Sequence, residues 1–92
     1  MIMHLRPAPS RTHTLSDTFI EAVKKTRASH ATDKALVAAL KGPLDAEFPE
    51  DIDMRRFALK NIMEIAKLVR EGHKTIWIRW SSKVGMGIYV DE

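Results

Sequence analysis

Four histidines, a cluster of five carboxylates and one Gly-x-Gly are the groups in this chain suited to catalysis or metal binding. His4, His13, His30 and His73 are scattered along the sequence. No two stand at i, i+4, so no His-Glu-x-x-His pair places two imidazoles on one helix face for a metal. Asp45, Glu47, Glu50, Asp51 and Asp53 are close together but lack the spacing and central glycine of an EF-hand loop. Helix capping and a solvated loop account for them. Gly85-Met86-Gly87 is not followed by a helix whose amides and dipole would cradle a phosphate. Glycine at a hairpin turn is the simpler reason for it. There is no cysteine, which removes thiol nucleophiles, thiolate metal sites and disulfides. No catalytic residue, metal site or cofactor is expected, and an enzyme is not predicted.

Binding chemistry is better represented. Trp77, Arg79 and Tyr89 fall at alternate positions in the last quarter of the chain. These residue types dominate the energetic centres of protein interfaces. Arg55, Arg56, Lys60, Arg79 and Lys83 form a second set, able to meet the phosphates of double-stranded DNA. The two sets define two expectations: a DNA-binding regulator, or a protein-interaction module or small inhibitor working as a dimer or in a complex.

The elements that carry these residues follow from periodicity. Met54 to Glu71 reads as one long amphipathic helix, capped by Asp53, with Met54, Phe57, Ala58, Ile62, Ile65, Ala66, Leu68 and Val69 on its apolar face. Gly72 stands where a left-handed C-cap belongs. The period then changes to two. Thr75 to Trp80 and Met86 to Val90 read as the strands of a hairpin, with Ser81 to Gly85 as the turn. Ile76, Ile78, Trp80, Met86, Ile88 and Val90 should share the core face. Trp77, Arg79 and Tyr89 should share the other, either covered by the N-terminal helices or exposed as a patch.

Upstream, Met1 to His13 holds Pro7, Pro9, Arg6 and Arg11 and reads as a flexible or extended basic arm. Thr14 to Ala28 is the first helix, with a capping box at Thr14/Asp17 or Thr18/Glu21. Thr32 caps a second helix, Asp33 to Lys41, which Gly42-Pro43 ends. Pro43 to Asp53 reads as a loop with room for one helical turn before Pro49, anchored to the core by Phe48. The expected architecture is α+β: an N-terminal arm, residues 1–13, and a single domain, residues 14–92, of three helices and a C-terminal antiparallel hairpin.

That order of elements is winged-helix-like. Leu68 to Gly72, followed by Gly85, Gly87, Tyr89 and Val90, resembles the wing of bacterial winged-helix regulators of the GntR type. The resemblance covers about the last quarter of the chain. It implies that Arg55, Arg56 and Lys60 face a DNA groove or backbone, and that Arg79 and Lys83 are wing contacts to phosphate. The interval from Gly72 to Gly87 is longer than in that family, and an acidic loop stands where a short inter-helix turn is expected.

Charge is segregated. Residues 1–41 carry net +4, residues 42–53 net −5 and residues 54–92 net +4, within an overall +3. At 92 residues the chain is one domain with a small core, burying roughly 60% of the unfolded surface. A homo-oligomer is therefore expected. No stretch approaches membrane-spanning length, so no membrane partner is expected and a cytoplasmic location is the default.

Overall fold

The computed structural model describes residues 10–29 and 32–91. Within them the order is β1 (Ser10–Thr14), α1 (Asp17–Ser29), α2 (Asp33–Ala39), α3 (Lys41–Glu47), α4 (Ile52–Lys60), α5 (Ile62–Arg70), β2 (Ile76–Ser81) and β3 (Gly85–Val90). The architecture is α+β, as expected, but with five helices rather than three among the described residues. His4, His30 and residues 1–9 of the expected arm lie outside them.

Each extra element has a local cause. Gly42-Pro43 does not end the helical run. It falls in the first turn of α3, where the amide that proline lacks has no intrahelical acceptor in any case. Leu40 joins the two helices: its N–H donates to Leu36 and Val37, and its carbonyl accepts from Leu44 at 2.9 Å. The expected long helix is broken at Asn61, whose φ of −112° and ψ of 23° lie outside the helical region. The Asn61 side-chain amide donates to the Phe57 carbonyl at 2.9 Å, beside the backbone N–H of the same residue at 3.0 Å. A side chain competing for a backbone acceptor disrupts the regular turn. The α4 N-cap is Asp51 rather than Asp53, with Oδ1 accepting from Met54 N–H at 3.1 Å. Ser16, not Thr14 or Thr18, caps α1 by accepting from Phe19 N–H at 3.1 Å.

Other features match the periodicity. Thr32 caps α2. Gly72 has φ +89°, its N–H bonds to Val69 and that of His73 to Leu68, a Schellman ending that needs the left-handed position.

The sheet has the order β1-β2-β3 and is antiparallel throughout. Ser10 to His13, expected as part of a flexible or extended arm, and Thr14, expected to begin the first helix, pair with β2 from Ser10↔Ser81 to Thr14↔Trp77. β2 pairs with β3 from Ile76↔Val90 to Ser81↔Gly85. Gly85, at φ +79°, follows the three-residue turn Ser82 to Val84 in the left-handed position that such hairpins use. Ile76 and Ile78 are fully buried on the helix-facing side, with Trp80, Met86, Ile88 and Val90 packed around them. All five helices contribute to this one core, which includes Phe19, Leu36, Leu44, Met54 and Ile65.

Phe48, 1% exposed, closes the core at the end of α3 as the expected anchor. Phe48→Ala should cost roughly 3–5 kcal/mol, read as a lowered urea midpoint with unchanged slope. A loss below about 1 kcal/mol would contradict that anchoring role.

Candidate interaction surface

Because strands alternate, the face of the sheet turned away from the helices carries Thr12 and Thr14 from β1, Trp77 and Arg79 from β2, and Gly87 and Tyr89 from β3. Trp77 stands directly across from Tyr89, and also from Thr14. Arg79 stands between Thr12 and Gly87. Neither Trp77 nor Tyr89 is among the residues packed on the core. Tyr89 is 40% exposed, Trp77 half-buried and Arg79 exposed. The helices therefore leave this face open among the described residues.

Gly87 shapes the patch. A Cβ there would lie 2.9 Å from Tyr89 Oη and 3.1 Å from two ring carbons. The tyrosine ring thus lies over the glycine, in space a side chain at that position would need.

β1 is held in place by its own helix-facing side chains, which meet the acidic segment. Glu47 Oε2 lies 2.7 Å from His13 Nε2 and 2.8 Å from Ser16 N–H, and Oε1 accepts from Ser16 Oγ at 2.6 Å. The Glu47 side chain is only 8% exposed. Burial pushes its carboxyl up, but bonds from His13 and Ser16 and the His13 charge outweigh this, and its pKa falls below the ordinary 4.5. An ionised carboxylate only accepts, so His13 Nε2 carries the proton in this bond. The His13 ring also lies on Phe48, with centroids 4.4 Å apart. Arg11 sits 5.4 Å over the Trp80 ring and 3.6 Å from Asp51.

Serine, glutamate and histidine here are not a nucleophile chain. Ser16 Oγ gives its hydrogen to the carboxylate and accepts from Phe19 N–H, so the hydroxyl is committed to capping α1. Among the described residues no group of three His, Asp or Glu is placed to hold a metal ion.

The structure brings one predicted set together and divides the other. Trp77, Arg79 and Tyr89 share the open face. Arg56 and Lys60 are exposed on α4, Lys83 is exposed in the hairpin turn, and Arg79 points away from the helical layer. Arg55 is engaged, with Nε 3.6 Å from Asp45 and a terminal nitrogen donating to the Phe48 carbonyl at 3.5 Å. Sequence reasoning missed Thr12, Thr14 and Glu47. The available signal was the alternation of threonine with Arg11 and His13 from Ser10 to Thr14.

Comparison with protein-family models, curated proteins and solved structures found no match. Among the described residues no helix is long and apolar enough to cross a membrane.

Since the folded-state pKa of Glu47 is lowered, its contribution to stability is present above about pH 4.5 and lost as pH falls through the folded value. Glu47→Gln should cost roughly 1–3 kcal/mol at neutral pH. It should also flatten the fall in stability on acidification, measured by urea titrations across that window. An equal acid slope in both chains would contradict the role given to Glu47.

Proposed function

We propose that this chain is a non-enzymatic binding protein whose working surface is the open face of the three-stranded sheet, and that it binds protein. The observation that carries this reading is the convergence of Trp77, Tyr89 and Arg79 on one uncovered face. A rigid sheet presents these side chains at little cost in ordering, and their types suit the centre of an interface. The threonines beside them supply hydroxyls without charge.

A winged-helix-like reader of double-stranded DNA is the second reading. Arg56 and Lys60, one turn apart on the exposed side of α4, favour it. Two features weigh against it. Arg79 lies on the opposite side of the sheet from the helical layer, and Arg55 is already ion-paired with Asp45. A helix and a wing that read one duplex must face it together.

Panning a displayed random-peptide library against the chain tests the first reading. Peptides should be recovered that bind the wild type and lose about tenfold or more in affinity to the Trp77→Ser, Tyr89→Ser double variant. A labelled DNA duplex should show no binding at low salt. Duplex binding that weakens steeply with salt and falls in Arg56→Ala would instead support the second reading.

A further inference from the structure

The two edges of the sheet differ in chemistry. β1 carries Arg11 and His13 and follows Pro9 in the sequence, and charge and proline both discourage strand addition. β3 reads Gly-Met-Gly-Ile-Tyr-Val, with no charge and no proline. Among the described residues no strand pairs with its outer side, which is a template for another strand. The helix-facing side chains of β3, Met86, Ile88 and Val90, are only half-buried, whereas Ile76 and Ile78 of β2 are fully buried. Next to β3, Val84 is 76% exposed.

Beyond the reading of the open face as a protein-binding surface, we infer that the β3 edge of the sheet pairs with a second copy of this chain. β3 pairs antiparallel with β3 of that copy about a two-fold axis at Gly87. The register follows from complementarity. With Gly87 opposite Gly87, Met86 faces the second copy's Ile88 on the helix side, and the exposed turn residue Val84 comes beside its Val90. On the open side, Tyr89 faces the second copy's Gly85, where no side chain obstructs the ring. Past the end of the strand, the turn that carries Lys83 comes beside the second copy's Asp91, and the symmetry makes this approach twice. The exposed Val84 gains an apolar neighbour, and among the described residues the charges flanking the strand, Lys83 and Asp91, meet with opposite sign. The product is a six-stranded sheet whose open face carries both copies of Trp77, Arg79 and Tyr89. Edge pairing of this length sits at the small end of specific interfaces, so association in the micromolar range is expected.

Sedimentation equilibrium of the full chain at low ionic strength, over a wide concentration range, tests the pairing. The wild type should dimerise. Lys83→Glu and Asp91→Lys, both at exposed positions, should each weaken the dimer about tenfold by setting like charges opposite one another. The double variant should recover wild-type association. Val84→Lys should weaken it as well. A dimer indifferent to both single reversals overturns the register, and a monomer at every concentration overturns the pairing. A monomer that still binds panned peptides through Trp77 removes the self-pairing alone, whereas one that binds none removes the protein-binding reading too.

Discussion

A carboxylate at the C-terminal end of a helix, largely shut off from water, is placed against both the helix dipole and its own hydration. Glu47 is such a group, and its place in the fold depends on donors brought from elsewhere in the chain. Those donors are His13, the last helix-facing residue of β1, and the amide and hydroxyl of Ser16, which caps α1. One side chain therefore fixes the end of α3, the start of α1 and the position of the first strand. Phe48 stands beside it, filling the core on one side and carrying the His13 ring on the other. The Arg11–Asp51 contact runs parallel to this but is half in solvent, and contacts of that kind contribute little.

This explains why the charge along the chain is segregated. The acidic segment between two basic ones is more than a solvated loop. Glu47 receives His13, Asp51 receives Arg11 while capping α4, and Asp45 receives Arg55. Docking β1 on these carboxylates gives the sheet its third strand. A lone hairpin would offer Trp77 a single strand neighbour. With β1 in place Trp77 lies on the central strand of a sheet whose other face is sealed by the helices. That leaves one face and the two edges, β1 and β3, without a strand partner among the described residues.

The hairpin was legible in the sequence down to the division of its faces, because alternation over six residues, flanked by glycine, admits one register. The buried faces of α1, α2, α4 and α5 were legible for the same reason at the helical period. The rest turned on competition between local and tertiary effects. Gly42-Pro43 reads as a helix stop, yet the same pair is tolerated in a first turn. Asn61 breaks a continuous apolar stripe through a hydrogen bond that periodicity does not register. β1 buries no aliphatic side chain, so it gave no alternating apolar signal. Its inward residues, Arg11 and His13, are polar because their partners are carboxylates distant in sequence. Arg55 read as a free cation for the same reason.

Amide hydrogen exchange of the wild type and Glu47→Ala, followed residue by residue, tests most directly whether Glu47 holds the sheet together. The Leu15 N–H, which donates to the Ile76 carbonyl at 2.9 Å, and the β1 amides bonded to β2 report on the docked strand. In the variant these should lose protection while β2, β3 and α5 keep theirs. Unchanged protection in β1, or loss of protection everywhere at once, would contradict the role of this carboxylate as the attachment of the first strand.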